Sequence, residues 1–473
     1  MARVHPAMTA SHSVVVVGGG ISGLVCAYAL RRAGLDALLL ESSDRPGGVI
    51  RSERHDAWLF EHGPQSFTAT GPLLGLIREI GLEEQIVRGD SRAPRFVLVN
   101  GALERAPLNP AAFFGSSLFG WGTKFSILRD LFGRSYPPAE DESIAQFIRR
   151  KFSAELLEKL VGPFVSGVYA GDPERLSLRS AFPQLHAAEL AKGSLIRGML
   201  TAAKKKKGPR ERSTLLSFRE GNEMLPRALA ERLGDSLRLR TEVTRIEEND
   251  SSATRRFSLE VTRGGHGETL FCERLVVATP PDTSGRLLAG LDPAFETHLG
   301  AIEFSAVAVV SLGYEKQHIA RDVSGFGFLV PRSAGLRILG TVWNSSLFPG
   351  RAPEGQVLMT SFLGGATDPG IALLSPAALA DLAHRELAPL LQIQQQPVFS
   401  HVHVYPRALP QYNLGHSARL ARLEKLRAAF PGLWFAGNYW NGPAVGSCSE
   451  FGLETAAAIL AGSAAPAATG QHA

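Results

Sequence analysis

The chain has 473 residues, 44% of them hydrophobic and 20% charged, which calls for more than one folded unit and excludes a disordered chain. Its net charge of +5 suits an anionic surface or ligand without choosing between them. The three cysteines, Cys26, Cys272 and Cys448, are too far apart for a metal-ligand pair or a disulfide framework, which favours a reducing compartment.

No secretory signal is expected, because residues 1–13 lack an apolar core and a cleavage pattern. The opening segment then reads as one βαβ unit. Ser13–Val17 suits a buried parallel strand, Ile21–Ala33 has helical apolar spacing with Gly34 at its C-terminal cap, and Ala37–Leu40 is a second strand ending at Glu41. Residues 90–140 are rich in Pro, Gly and Phe. Two helices follow, Ser143–Phe152 and Ser153–Phe164, with Ser143 and Ser153 as N-caps. The basic run at 201–213, TAAKKKKGPRERS, reads as an exposed loop. Residues 237–245 and 257–262 pattern as a hairpin-like strand pair, followed by a strand at Leu275–Thr279. Four β-rich runs occupy 306–364, Ser375-Pro376 opens a capped helix, and LWFAGN leads through a Gly-rich turn into a helix at Ser449–Leu460. Two windows of 18 residues are free of charge, Ser13–Leu30 and Ala106–Thr123. Both are broken by glycine or proline, so neither reads as a membrane span.

Gly18, Gly20 and Gly23 form G-x-G-x-x-G between the first strand and helix. The pattern permits a tight turn, close approach of backbone to a pyrophosphate and close helix packing, with the phosphate charge at a helix N-terminus. Glu41 stands where a carboxylate binds ribose hydroxyls. The neighbouring Arg45, Gly47 and Gly48 suit a pyrophosphate held from two sides, as in FAD. A ligand-free glycine turn is the competing reading. Cys448 reads as a buried inert thiol. His401 and His403 share a strand face without an evident acidic partner, so a polar sheet face is expected there and no metal.

These residues place the chain in a recognisable class. VVVGGGISGL and LLLESSDRPGG, with EHGPQSF (61–67), GPFVSGVYAGDPERLSLRSAFP (162–183), SGFGFLVP (324–331), SFLGG (361–365) and LPQYNLGH (409–416), resemble the oxygen-dependent, FAD-containing protoporphyrinogen oxidases of the flavin amine oxidase superfamily. The resemblance implies an α/β fold: a discontinuous Rossmann-like FAD-binding domain (1–67, 216–288, 402–465), an inserted mixed-sheet substrate domain (68–88, 165–215, 289–401) and a helical, membrane-associating part (89–164). It implies noncovalent FAD held by Gly18, Gly19, Gly20, Ile21, Ser22, Gly23, Glu41 and Ser42. Arg45, Gly47, Gly48, Val49, Gly63, Pro64, Gln65, Ser66, Val243, Tyr405, Val445, Gly446 and Ser447 complete that set. Gly167, Phe326, Gly327, Leu329, Val342 and Phe362 would line the substrate cavity, with no side-chain base and no metal.

The implied reaction oxidises protoporphyrinogen IX with O2, in three FAD cycles releasing three H2O2. The implied partners are a tetrapyrrole, O2 and an anionic membrane surface, with a homodimer compatible and no nucleic acid. The expected location is cytoplasmic, at the inner face of a membrane. The chain departs from its relatives in reading Gly446-Ser447-Cys448-Ser449 where many have Asp-Cys. Gln65 to Thr68 also stand where some carry a propionate-binding arginine. Tyr439-Trp440 is similar to the aromatic cage of amine oxidases. Coproporphyrinogen III oxidation, amine oxidation and flavin binding without turnover remain the alternatives.

Overall fold

The computed structural model describes residues 10–462, except 69, 91, 206–214 and 250–252. Two seven-stranded sheets organise the chain. In the first, Val14–Val17 and Ala37–Leu40 are buried on both faces, as their continuous apolar runs require, and pair in parallel. The strand order is Leu237–Arg238, Ala37–Leu40, Ala10–Val17, His266–Val277, Phe257–Arg263, Thr241–Glu248. His266–Val277 is longer than the expected Leu275–Thr279. Its first part pairs with Phe257–Arg263 and its last three residues with Leu433–Phe435.

The second sheet runs Phe399–Pro410, Phe304–Glu315, Gln356–Gly364, Ile338–Val342, Gly327–Leu329, Arg95–Val99, Ala102–Arg105. One of its faces carries Ala308, Val310, Leu312, Tyr314 and Met359 into a core closed by Leu379, Ala383 and Leu387 of the helix Pro376–Leu391. The other face is only partly filled.

Between the sheets in sequence lies a helical region. Ser143 caps Ile144–Lys151 in a reciprocal capping box with Gln146, and Ser153 caps the next helix. That second helix outruns the expected Phe164. Ala154–Leu156 passes through a π-helical turn, Leu157–Val161, into Gly162–Tyr169. Pro163, which has no N–H to donate, stands where the ladder loosens. The expected loop at 201–213 is corrected in part. Residues 201–205, rich in the helix formers Ala and Lys, complete the helix Leu195–Lys205, and 206–213 lie outside the described residues.

The helix Trp121–Phe132 is turned inside out. Thr123, Lys124, Ser126 and Asp130 are buried, whereas Trp121, Phe125, Leu128 and Phe132 are exposed, Phe132 by 80%. Buried polar partners explain the orientation. Asp130 accepts from Ser194 Oγ at 3.1 Å and the Ile196 N–H at 3.0 Å, and lies 3.2 Å from the buried Lys151 ammonium. Among the described residues no helix is long and apolar enough to cross a membrane.

A second buried network ties the sheets together. Glu61 ends one arm of the hairpin Ser52–His55 / Trp58–Glu61. It accepts from Ser52 Oγ at 2.5 Å and the Asn222 N–H at 2.9 Å, and Arg351 Nη1 lies 3.5 Å away. Burial first, against the pull of Arg351, pushes the Glu61 carboxyl up to about 7 from 4.5. Arg351→Met strands this group and should cost about 3–5 kcal/mol by chemical denaturation. Because the folded carboxyl titrates above its unfolded value, the stability it contributes is complete below pH 4.5 and lost as pH rises through 7. Melting curves of wild type against Glu61→Gln should therefore shift in favour of the variant between pH 5 and 8. A constant difference refutes this.

Candidate functional site

The first strand ends in a turn that leaves no room for side chains. Gly18 has φ of +110°, and its N–H donates to the Leu40 carbonyl at 2.8 Å. A Cβ on Gly23 would lie 2.0 Å from Gly18 O, so the helix Ile21–Arg32 starts directly against the turn. That helix has no side-chain cap at Gly20, and a Cβ there would meet nothing within 4 Å. Space is thus open beside Gly20 at the N-terminus of this helix.

Glu41 holds the turn from the second strand. Its Oε2 accepts the Gly19 N–H at 2.6 Å and its Oε1 the Ser43 N–H at 2.8 Å, with Ser42 Oγ at 3.5 Å. The Gly47-Gly48 turn docks alongside, Gly47 N–H donating to Gly19 O at 2.8 Å. The structure brings Gly18–Gly23, Glu41, Ser42, Gly47 and Gly48 together. Arg45 sits with them, but its guanidinium donates to the carbonyls of Pro46, Gly48 and Ile50, so it shapes the turn.

The Gly63–Ser66 turn packs on the same loop, for a Cβ at Gly63 would lie 2.2 Å from Val49 O. The Gln65 side chain turns inward, donating to Gly63 O at 2.9 Å and accepting from Asn344 Nδ2 at 2.6 Å. Pro64 O accepts from Asn222 Nδ2 at 2.8 Å, which pins the turn from its other side. Val243 lies at a register shift where the ladder with Phe257–Arg263 is interrupted.

The last helix starts at Val445, four residues before the expected Ser449, so Val445, Gly446 and Ser447 form its first turn. Ala444 gives it no side-chain cap. Its Gly452 crosses the first helix closely, a Cβ there falling 2.6 Å from Ser22 O. Cys448 is buried, and burial pushes its thiol up to about 12, which fits an inert residue. The neighbouring Asn441 is 5% exposed, and neither of its side-chain polar atoms has a partner. Two uncapped helix starts, a glycine cradle and a buried amide in need of partners fit a dinucleotide-sized cofactor.

The expected substrate residues fall on one surface. Cross-strand neighbours share a sheet face, and positions two apart keep to it. Gly327 pairs with Val342 and Leu329 with Gly340. Gly340 pairs with Phe362, Phe362 with Val309, and Val309 with His403. Tyr405 lies two residues on from His403, paired with Val307. Leu329, Val342, Phe362 and Tyr405 are half-buried, whereas Phe328, Thr341 and Ser361 on the opposite face are buried. Gly167 abuts this face, since a Cβ there would lie 2.3 Å from Leu329 Cδ2. Phe326 stands at its edge with Val342, against Ala93, Leu347 and Phe348.

Three features were beyond sequence reasoning. Arg95 is paired in register with Gly327 and places its guanidinium 4.8 Å above the Phe326 ring. Among the described residues no carboxylate pairs with it, and nothing in its local sequence announces this position. His62 and Glu53 meet His401, so the acidic partner absent from the local sequence is supplied by a distant hairpin. The aromatic cage expected of Tyr439-Trp440 is corrected. Tyr439 is 0% and Trp440 4% exposed, both packed in the first sheet's core, with Trp440 stacked on Phe435.

Comparison with known proteins adds a family. The sequence pattern described as flavin containing amine oxidoreductase matches residues 21–460. Protoporphyrinogen oxidase 1 of Arabidopsis thaliana chloroplasts is 35% identical over 95% of this chain and 88% of its own. Coproporphyrinogen III oxidase of Bacillus subtilis (strain 168) is 30% identical over 93% and 96%. A crystal structure from Exiguobacterium sp. 255-15, provisionally named a protoporphyrinogen oxidase, superposes with a TM-score of 0.78 at 26% identity, covering 95% of this chain and 99% of that one.

Two substitutions test the cradle. Gly23→Ala should yield folded protein purified without flavin, because the added methyl cannot pass Gly18 O. Glu41→Ala should weaken FAD binding to apoprotein by about 10–100-fold, the loss of charge-assisted hydrogen bonds worth about 1.5–3 kcal/mol. Fluorescence titration with affinities equal to wild type refutes both.

Proposed function

The chain belongs to the flavin-containing amine oxidoreductase family, and we propose that its reaction is the oxidation of protoporphyrinogen IX to protoporphyrin IX with O2 as acceptor. The cofactor is FAD. FAD held at the Gly18–Gly23 turn and Glu41 would supply two-electron acceptance and transfer to O2, so removal of six hydrogens would require three turnovers and release three H2O2.

The observation that carries the reading is the half-open sheet face. Phe326, Leu329, Val342 and Phe362 offer an apolar wall to a large, nearly flat ring, and Gly167 and Gly327 keep that wall low. The chain's task is to position the ring and exclude water from it. Burial, reinforced by His401, Arg51 and Arg45, lowers the His403 pKa, and burial raises that of Tyr405 against the pull of Arg45 and Arg51. No side-chain base is assigned, since aromatisation drives the loss of the pyrrole protons. Arg95, at the edge of the wall, is placed to pair with a substrate propionate.

In this reading residues 1–67, 216–288 and 402–465 bind FAD, 68–88, 165–215 and 289–401 bind substrate, and 89–164 meet the membrane. The two-sheet arrangement supports that division, although strands Arg95–Val99 and Phe399–Pro410 carry the second sheet across its limits. The inside-out helix supports the membrane part. Trp121, Phe125, Leu128 and Phe132 recur at i, i+4, i+7 and i+11, one stripe facing outward, with Arg129 and Arg134 near it. An anionic inner-leaflet surface is the partner this stripe fits.

Purified enzyme given protoporphyrinogen IX, coproporphyrinogen III and a panel of amines should form porphyrin fluorescence and peroxide in a ratio of one to three, fastest with protoporphyrinogen IX. Peroxide from an amine without porphyrin refutes the reading, and a strong preference for coproporphyrinogen III replaces the substrate. Arg95→Ala should raise KM for protoporphyrinogen IX about tenfold or more and change kcat less. Wild type should sediment with anionic liposomes at low salt, and the Phe125→Glu, Phe132→Glu double variant should stay in the supernatant. Equal partition of the two refutes the membrane role.

A further inference from the structure

Three donor residues converge where the hairpin Ser52–Glu61 meets the face of the second sheet that carries His401 and His403. Glu53 lies on the strand Ser52–His55, His62 immediately follows Trp58–Glu61, and His401 lies on Phe399–Pro410 in the second sheet. One ligand atom from each falls within 4.8 Å of the other two. His62 Nε2 and Glu53 Oε2 are 3.0 Å apart, and the His62 and His401 rings are 4.6 Å apart.

The cluster is built into the fold. The His62 side chain is 3% exposed, and Phe60 packs on both rings, 5.7 Å from His62 and 4.4 Å from His401. His62 Nδ1 and His401 Nε2 are buried without hydrogen-bond partners. Glu53, 40% exposed at its side chain, leaves an entry path from solvent. His62 presents its Nε2 to Glu53, and His401 keeps a buried nitrogen, Nε2, without a hydrogen-bond partner.

We propose that Glu53, His62 and His401 bind one divalent transition-metal ion of the zinc class, tying the hairpin that leads into the Gly63–Ser66 turn to the second sheet. Two imidazoles and a carboxylate are the donors that zinc takes and that magnesium and calcium do not prefer. Three protein ligands leave one position for water. A tetrahedral ion with bonds of about 2.0–2.1 Å needs its donors about 3.3 Å apart, so the widest gap must close by about 1.5 Å or less. The partly exposed Glu53 and His401 side chains have room to make that movement. Arg51 is the competitor, with Nη2 3.5 Å from the same Glu53 oxygen. Metal entry must displace it.

The test titrates chelator-stripped holoenzyme with Zn2+ and, separately, Mg2+ by calorimetry. Bound metal is counted after desalting, and flavin absorbance checks that each variant keeps its cofactor. One Zn2+ per chain and no Mg2+ is expected. His401→Ala and Glu53→Gln should each weaken Zn2+ at least about tenfold with flavin retained, and Arg51→Gln should tighten it. If His401→Ala fails to fold, Glu53→Gln, at the exposed end of the cluster, decides alone. No Zn2+ uptake, equal uptake of Mg2+, or Zn2+ affinity unchanged in Glu53→Gln overturns the proposal.

Discussion

A methyl group on Gly23 would lie 2.0 Å from the Gly18 carbonyl, and one on Gly452 would lie 2.6 Å from that of Ser22. The cradle depends on these two approaches of helix to backbone. The first lets Ile21–Arg32 begin immediately at the strand end, with open space beside Gly20. The second draws Val445–Leu460 against that helix. Both helices lack side-chain caps, so the charge of a phosphate is the natural complement to the positive ends of their dipoles. Glu41 then fixes the turn through the Gly19 N–H, and the Gly47-Gly48 turn docks on what Glu41 has fixed.

The second sheet works by a different rule. Its strands alternate, and one set of alternate residues is consumed by the core under the helix Pro376–Leu391. On the other face Val307, Val309, Ser311 and Thr360 are buried while Leu329, Val342, Phe362, His403 and Tyr405 stay half-buried, a partly filled face of the kind that marks a binding site. The helix Trp121–Phe132 obeys the same accounting with the sign reversed. Asp130 and Lys151 are too costly to leave unpaired in the interior, so their pairing sets which side of the helix faces in and which aromatic residues face out.

Buried charge also joins the two halves. Arg351 meets Glu61 on the hairpin and Ser217 Oγ, at 2.5 Å, beside it, while Asn344 reaches Gln65. Gln65 and Arg45, expected along the cofactor, also make internal contacts, Gln65 with Gly63 and Asn344 and Arg45 with the carbonyls of Pro46, Gly48 and Ile50, which hold their turns in place.

The sequence alone determined what is local. Continuous apolar runs specify the inner parallel strands, a reciprocal Ser143–Gln146 box specifies a helix start, and G-x-G-x-x-G followed by Glu41 specifies the cradle, because each is settled by residues within about one βαβ unit. The motif resemblance extended this to the residues expected to line a substrate cavity, four of which, Gly327, Leu329, Val342 and Phe362, the register then placed on one side of one sheet. Tertiary structure decided everything that needed residues distant in sequence. His401 had no visible acidic partner because Glu53 and His62 come to it from more than 300 positions away. Arg95 reaches Phe326 only through a parallel strand pairing, and Tyr439-Trp440 looked like a cage until packing buried it. Side-chain type and spacing report the conformation of a segment. Its partners are set by register between strands and by which buried polar groups find one another, and neither quantity is written in the segment itself.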